Sequence, residues 1–407
     1  MPSVLTTPAR RFVASRWAPW ALLAVVGVAH VVVTYAGADP FRMVDLDVYV
    51  QGGQHLFDGT LYEFVTQPLE LPFTYPPFSA LVFVPLGWLP WTLTRIIWQL
   101  ASFAALAAII YCTLRLLGRA GRGAAQPLPH VRGIVITGTA LGLWLEPVRT
   151  TFNYGQINLF LGALLLAGAV AGKQWVAGAT VGLAAGIKVV PAITGLYYLM
   201  QRQWRAVVAA VVAFAATGLL MLAIIPKDTW HFFTDLLFGD PGRTGPVWSV
   251  INQSLLGALS RLAGYRVSTA WVLAAALAVL LGVAAAWVAL RAGDRTASLL
   301  AVEFTGLLVS PISWSHHWVW VLPLILWCLY GPHRGRPVVV ALAVAWLLAT
   351  CSYLVSFLIA LQYKGEPASR PGWESWAGTV YPVLGVLTLA ALLLLSRPAA
   401  AAARAAT

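Results

Sequence analysis

The sequence predicts an all-α protein that crosses a membrane many times. Of its 407 residues, 60% are hydrophobic and only 10% are charged, a composition too apolar for a soluble globule. The apolar residues form long runs between short polar segments, and no series of short alternating strands predicts a barrel. We therefore expect one integral membrane domain that covers residues 1–407.

The charged residues indicate how the chain lies in the membrane. The net charge is +12, but the basic residues lie mostly in short loops between apolar runs, so they set orientation and no nucleic acid is expected as a partner. With both termini in the cytoplasm, sixteen of the 26 basic residues fall inside and twelve of the 14 acidic residues fall outside. The positive-inside rule therefore predicts a multi-pass protein with cytoplasmic N- and C-termini.

The apolar runs predict about 12 transmembrane helices. They are expected at residues 17–36, 92–117, 133–147, 156–172, 175–187, 190–200, 205–225, 269–290, 297–312, 316–330, 337–360 and 377–396. A signal peptide is the alternative for the first run, which is long for such a segment. Residues 72–90 are apolar but contain five prolines, so a short interfacial or re-entrant helix is expected there.

Three long segments without a predicted crossing helix fall on the outer side in this topology. They are residues 37–91, 226–268 and 361–376, which we expect to form periplasmic loops with short interfacial helices. Six of the 14 acidic residues lie between positions 39 and 70. Polar groups that converge on one face from distant parts of the chain are what a site at a membrane surface requires. The inside loops are too short for a nucleotide-binding domain.

Asp45 and Asp47 are the first candidates for chemistry in the acidic segment. On a strand the two carboxylates share a side and can hold a divalent cation, whereas on a helix they diverge by about 200°. One of them can instead cap the following helix while the other is solvated. The use of one as a general base is the interpretation that we favour.

Two further groups of residues suggest the binding of an anion. His316 and His317 are adjacent, and on a helix their side chains point about 100° apart, which disfavours two metal ligands and favours one structural and one functional histidine. The alternative is an interfacial anchor beside Trp314. Lys188 lies at a break in an apolar segment before Pro191, where we expect a phosphate partner; snorkelling to the interface is the alternative.

Several segments resemble a known family, the polyprenyl-phosphate-mannose-dependent α-1,2-mannosyltransferases of the GT-C fold. Within it, the chain is most similar to the mycobacterial enzymes that extend phosphatidylinositol mannosides. The segments are DLDVY at 45–49, LPFTYPPFSALVFVPL at 71–86, EPVRTTFNYGQINL at 146–159, GLAAGIKVVPAITGLYY at 182–198, NQS at 252–254 and LLVSPISWSHHWVWVLPL at 307–324.

The resemblance implies which residues form the site. Asp45 matches the essential acid of a D-x-x-V-Y element, and His316 and His317 match the histidines of a Ser-Trp-x-His-His-Trp element. Asp47 falls at a variable position, so a metal-binding pair is less expected, and no metal or cofactor is predicted. The residues expected to bind the donor or the acceptor are Asp47, Tyr49, Tyr75, Glu146, Arg149, Asn153, Tyr154, Gln156, Asn158, Lys188, Asn252, Gln253 and Trp314.

The resemblance also implies a function. We expect the transfer of mannose from polyprenyl-phosphate-mannose to a phosphatidylinositol mannoside, from tetramannoside to pentamannoside, on the periplasmic face of the plasma (inner) membrane. Two further considerations are consistent with this function. A sugar donor used outside the cytoplasm must arrive on a lipid, and Asp45 can act as the single base of an inverting reaction. Donor, acceptor and membrane lipids are the expected partners. The alternatives are a transferase acting on lipomannan or arabinan, and a lipid or sugar transporter or flippase.

Overall fold

The computed structural model describes residues 7–36, 39, 41–118, 129–362 and 372–396. In these ranges the chain is helical, and the strand-like pairings are two isolated bridges, Val65–Pro72 and Asn252–Trp314. The predicted all-α class is therefore confirmed for this part of the chain. Both chain ends, residues 363–371 of the predicted outer loop and residues 37, 38 and 40 at the start of the first loop lie outside the described residues.

The α-helices are numbered α1 to α20 in chain order. Their bounds are α1 Thr7–Ala14, α2 Ala18–Tyr35, α3 Val44–Gln54, α4 Pro77–Phe83, α5 Trp91–Gly118, α6 Val131–Gly142, α7 Glu146–Tyr154, α8 Asn158–Val170, α9 Gln174–Ile187, α10 Thr194–Met200, α11 Trp204–Ile224, α12 Pro226–His231, α13 Leu255–Ala263, α14 Thr269–Arg291, α15 Arg295–Val309, α16 Val321–Tyr330, α17 Pro337–Cys351, α18 Leu354–Gln362, α19 Trp373–Ala377 and α20 Val380–Leu395.

The described helices include fewer membrane-spanning ones than predicted. Six are long and apolar enough to cross a membrane, or up to seven if α6 and α7, which meet at a bend of 74°, form one span. The six are Ala18–Tyr35, Trp91–Gly118, Trp204–Ile224, Thr269–Arg291, Pro337–Gln362 and Trp373–Leu395. The predicted count of twelve is not confirmed, because several apolar runs form helices that are too short. Helix α8 has 13 residues, a length of about 20 Å against a bilayer core of about 30 Å.

The proline-rich segment at residues 72–90 folds as predicted into short pieces. Pro77 is the first residue of α4, where the missing amide hydrogen costs no helical bond. After seven residues the helix gives way to a 3₁₀-helix, Val84–Trp88. A straight crossing helix is therefore absent from this described segment.

The chain divides into two compact units that alternate along the sequence. Unit 1 consists of Met1–Val31, Ala107–Arg149 and Val247–Thr407, and unit 2 consists of Val32–Leu106 and Thr150–Pro246.

In unit 2, close packing of α9 on α11 depends on three glycines. Gly178, Gly182 and Gly186 recur every fourth residue and so lie on one face of α9. A methyl group on Gly178 would overlap the backbone carbonyl of Ala206 in α11, and one on Gly182 would meet backbone atoms of the same helix. The absence of side chains on this face therefore allows the two helix backbones to approach each other directly.

In unit 1, a buried aromatic cluster joins four elements. Trp318, Trp346 and Tyr381 are mutual neighbours with ring centroids 5.5–5.7 Å apart. Phe304 of α15 packs edge-on against Trp318 and Trp346. These large buried rings stabilise the helices around the segment that carries the two predicted site histidines.

Candidate active site

Helix α3 carries Asp45 and begins at a sharp change in backbone direction. Met43, just before it, has a positive φ of 60°, and its amide donates a hydrogen bond to the carbonyl of Asn153 at 2.7 Å. Gly155 also has a positive φ, of 73°, and a methyl group there would overlap the side chain of Leu46. The start of α3 is thus fixed against residues 153–155.

The two aspartates of α3 do not form a pair. Because they are two residues apart on an α-helix, their side chains diverge by about 200°. Asp47 accepts a hydrogen bond from Gln51 at 2.9 Å, one turn along the helix. The cap position is Met43, so neither carboxylate caps α3. In the described parts of the chain, no group of three or more His, Cys, Asp or Glu residues is arranged to hold a metal ion.

Asp45 adjoins a buried network of polar side chains in unit 2. The side chain of Gln156 hydrogen-bonds to the Asp45 carboxylate. The oxygen of the same amide accepts a hydrogen bond from the Tyr49 hydroxyl at 3.0 Å, and the Tyr49 and Tyr75 hydroxyls lie 2.9 Å apart. Tyr49 and Gln156 are buried whereas Asp45 is partly exposed. The network therefore contacts a carboxylate that is partly open to solvent.

Lys188 joins this cluster from a break between helices. It follows α9 with an extended backbone, before the 3₁₀-helix Val190–Ile193, so the predicted interruption is observed. Its ammonium group donates a hydrogen bond to Asn158 at 3.0 Å and lies 5.4 Å from the centre of the Tyr75 ring. The charges of Lys188 and Asp45 interact.

The surroundings give Asp45 the ionisation behaviour of a base. Burial raises its pKa from 3.8 to about 6, while the hydrogen bond from Gln156 and the positive charge of Lys188 act in the opposite direction. A pKa of this size leaves the carboxylate ionised at neutral pH and still able to take up a proton. Burial raises the pKa of Tyr49 and Tyr75 well above 10, so both phenols remain protonated hydrogen-bond donors.

Two other predicted binding residues of unit 2 hold the loop before α3. Asn153 donates a hydrogen bond from its side-chain amide to Asp39 at 2.7 Å, and Asp39 in turn accepts one from the backbone of Phe41 at 2.9 Å. The ring of Tyr154 lies 5.9 Å from that of Phe41. Both side chains therefore help to position Asp45, because they hold the loop that precedes α3.

The predicted site histidines lie in unit 1, on the 3₁₀-helix Ser315–Trp320. The rings of His316 and His317 are 4.9 Å apart and nearly perpendicular. His316 is buried, whereas His317 and the neighbouring Trp314 are partly exposed. The two histidines therefore differ in solvent access, and their assignment as one structural and one functional residue stays a prediction. Because they and Asp45 belong to different units, their convergence stays a prediction.

Asn252 and Gln253 are fully buried and bonded to the protein. The Asn252 amide donates to the carbonyls of Val247 and Pro311, and its oxygen accepts from the backbone of Ser313. Gln253 donates to two carbonyls and accepts from the backbone of Tyr381. As placed, both residues hold loops together, and their predicted contact with substrate stays untested.

Glu146 and Arg149 lie on the first turn of α7 and are both buried. The Arg149 guanidinium lies 5.9 Å from the centre of the Trp144 ring. Glu146 accepts hydrogen bonds from three hydroxyl groups, those of Ser315, Ser356 and Tyr381. Ser356 and Tyr381 were not among the predicted site residues, because a serine and a tyrosine inside apolar runs resemble ordinary core residues.

Comparison with known proteins identifies the family of the chain. Residues 73–311 match glycosyltransferase family 87, which is more than half of the sequence. The chain belongs to glycosyltransferase family 87. It is therefore an enzyme, as predicted, and the transporter alternative loses its support.

Two curated relatives of this family 87 chain carry the same name, polyprenol-phosphate-mannose-dependent alpha-(1-2)-phosphatidylinositol pentamannoside mannosyltransferase. The protein from Mycobacterium tuberculosis (strain CDC 1551 / Oshkosh) is 40% identical over 95% of the chain and 88% of its own length. The protein from Mycolicibacterium smegmatis (strain ATCC 700084 / mc(2)155) is 38% identical over 90% of the chain and 89% of its own length. The resemblance to polyprenyl-phosphate-mannose-dependent α-1,2-mannosyltransferases, inferred from the sequence motifs, is thereby confirmed.

A solved structure offers a weaker comparison. The crystal structure of ArnT from Cupriavidus metallidurans in the apo state covers 93% of the chain at 17% identity, with 78% of ArnT matched and a TM-score of 0.39. At this TM-score the likeness does not establish a shared fold.

Proposed function

We propose that the chain transfers mannose from polyprenyl-phosphate-mannose to a phosphatidylinositol mannoside, forming an α-1,2 linkage. Two relatives that are similar over most of the chain are named for this donor, linkage and acceptor class. A lipid-linked donor suits a chain with at least six helices of membrane-spanning length. We place the chain in the GT-C class with both termini in the cytoplasm and the site on the periplasmic face, in accord with the distribution of basic residues.

Asp45 is the base in the proposed mechanism. Its carboxylate takes the proton of an acceptor hydroxyl while that oxygen attacks the anomeric carbon of the donor mannose. The bond from this carbon to the phosphate oxygen breaks, and polyprenyl phosphate leaves with the electron pair. Attack from the face opposite the phosphate converts a β-linked donor into an α-linked product. The raised pKa of Asp45, about 6, and its partial exposure support this role.

Lys188 keeps the base ionised. Burial alone disfavours the charged form of Asp45, and the positive charge of Lys188 opposes that effect. The hydrogen bond to Asn158 and the contact with the Tyr75 ring hold the ammonium group in place. Asn158 and Tyr75 thus contribute to the site by positioning this charge.

The histidine segment provides the contacts to the donor phosphate in this proposal. The leaving phosphate is stable as an anion and requires no general acid, so hydrogen-bond donors suffice to stabilise it. His317, partly exposed beside Trp314, is the more accessible of the two imidazoles. His316, buried behind it, orients the segment.

The cluster of Asp45, Gln156 and Lys188 carries the proposal, because a carboxylate with a raised pKa in a chain of a glycosyltransferase family supports the role of a base. The experiment is an in vitro reaction of the purified protein with a defined tetramannoside acceptor and either mannosyl or arabinosyl polyprenyl phosphate. We expect a pentamannoside with a new α-1,2 linkage from the mannosyl donor alone. Transfer of arabinose, or a different linkage, would contradict the proposal.

The transporter alternative needs a separate measurement. Proteoliposomes that hold the protein are given radiolabelled lipid donor without acceptor, and the transbilayer movement of label is followed. We expect no movement above that of protein-free vesicles. Movement of the donor without formation of a glycosidic bond would support transport instead.

A further inference from the structure

Glu146 is a buried carboxylate at the bend between α6 and α7. Its exposed fraction is 1%, so it is not available to a lipid-linked substrate in this structure. One carboxylate oxygen accepts hydrogen bonds from the hydroxyls of Ser315 at 2.9 Å and Ser356 at 3.1 Å. The other accepts one from the hydroxyl of Tyr381 at 2.8 Å. Three hydrogen bonds thus converge on one buried carboxyl group and fix the side chains around it.

The three donors come from three separate elements of unit 1. Ser356 lies on α18 and Tyr381 on α20, and Tyr381 is also part of the buried aromatic cluster. Ser315 is the first residue of the 3₁₀-helix and directly precedes His316. Glu146 therefore connects the histidine segment to two packed helices.

The histidine segment is also held by backbone contacts from residues 251–253. The amide of Ser315 donates to the carbonyl of Ile251 at 2.8 Å, and the amide of Gln253 donates to the carbonyl of Ser313 at 2.8 Å. These bonds fix the strand-like residues before the histidines. The side-chain bond from Ser315 to Glu146 is the additional contact at the residue next to His316.

We propose that Glu146 is a positioning residue that sets the orientation of His316 and His317 through Ser315, and does not bind substrate. This inference rests on the proposed role of the histidines in holding the donor phosphate. The two carboxyl oxygens are essential to it, because one accepts from both serines and the other from the tyrosine, whereas a side chain without oxygen accepts from none of them.

The first test compares Glu146→Met, which has a similar size but no acceptor oxygen, with Ser315→Ala and the double variant. We expect each single change to lower kcat/KM by about tenfold or more, mainly through a higher KM for the lipid donor, with the KM for the acceptor unchanged. The double variant should be no worse than the worse single variant, because both changes break the same contact. Additive losses would contradict a shared contact.

Chemical labelling provides a readout that does not depend on activity. Diethyl pyrocarbonate modifies accessible imidazoles, and the rate at His316 is compared by mass spectrometry with the rate at the exposed His231 of the same molecules. In the unaltered protein His316 should react more slowly. Glu146→Met and Ser315→Ala should bring the two rates closer together.

A matched control separates positioning from a general loss of stability. Thr388 lies on α20 like Tyr381, and its buried hydroxyl accepts a hydrogen bond from Trp346 at 2.9 Å. Thr388→Val should lower the thermal stability and leave the labelling of His316 unchanged. Increased labelling in this control would overturn the specific role of Glu146.

The outcomes distinguish this inference from the proposed function. If Glu146→Met and Ser315→Ala retain the donor KM and the His316 labelling of the unaltered protein, positioning by Glu146 is wrong while the function stands. If His316→Ala and His317→Ala both retain the donor KM, the proposed role of the histidines is wrong. Glu146 then has no effect on donor binding through them.

Discussion

At the scale of single residues, Asp45 and Asp47 provide a matched pair. Both are acids on the first turn of α3, but only Asp45 hydrogen-bonds to Gln156 and interacts with Lys188. General-base catalysis is typically worth about 10² to 10⁴-fold, so Asp45→Asn should reduce kcat by about that factor with the fold retained. Asp47→Asn should retain most activity in the same mannosyl-transfer assay. Similar rates for both variants would remove Asp45 from the mechanism.

The pH dependence of the reaction follows from the same residue. The base must be ionised, so kcat/KM for transfer should rise with pH through about 6 and become constant above it. Lys188 lowers the pKa of Asp45, so Lys188→Met should move the midpoint of the profile to higher pH. An unchanged midpoint in this variant would show that Lys188 does not act on the base.

The raised pKa of Asp45 also predicts an effect on stability. The folded protein binds the proton more tightly than the unfolded chain, so the contribution of Asp45 to the free energy of unfolding falls as pH rises from about 4 to about 6. The full effect is up to about 3 kcal/mol. Asp45→Asn should therefore raise Tm at pH 8 and leave it nearly unchanged at pH 4. A lower Tm at pH 8 would contradict an unfavourable buried charge.

Some residues of the candidate site could be predicted from their residue type. The environment of others depends on tertiary packing and could not be predicted. Asp45 and Lys188 were identifiable because a charge beside an apolar run is costly unless it has a use. Asn252 and Gln253 lie in the segment predicted to be an outer loop, residues 226–268, yet both are fully buried. Their amides are occupied by backbone groups from distant segments, and such long-range contacts are not encoded in local pattern.

At the scale of elements, the packing of α9 on α11 can be tested at one glycine. Gly178→Ala places a methyl group against the carbonyl of Ala206, so it should lower Tm although alanine favours helices. Gly195, in α10, has nothing within 4 Å of the corresponding methyl position. Gly195→Ala should leave Tm unchanged or raise it slightly. Equal responses would indicate that α9 and α11 are not in close contact.

The number of spanning helices could not be derived from apolar runs alone. Hydrophobicity identified where helices occur, and α2, α5, α11 and α14 agree with the predicted crossings to within a few residues. It did not distinguish a crossing from a short buried helix such as α8 or α16. A short apolar run can be shielded by neighbouring helices, so its composition does not set its depth.

At the scale of the whole molecule, the predicted orientation is open to a labelling test. Cys351 is exposed and is first replaced by serine, whereas Cys112 and Cys328 are buried. A membrane-impermeant maleimide should then label Glu63→Cys in intact cells, and Arg336→Cys only after permeabilisation. The reverse pattern would place Asp45 on the cytoplasmic side and contradict the use of a donor delivered outside.

The hydrogen bond from Tyr381 to Glu146 has a consequence for biosynthesis. Tyr381 lies on α20, whereas Glu146 is translated more than two hundred residues earlier. Glu146 therefore lacks this hydrogen bond until α20 has emerged from the ribosome and inserted. A nascent chain arrested before α20 would hold its histidine segment by fewer bonds, so competence for catalysis should be acquired only after α20 has been synthesised.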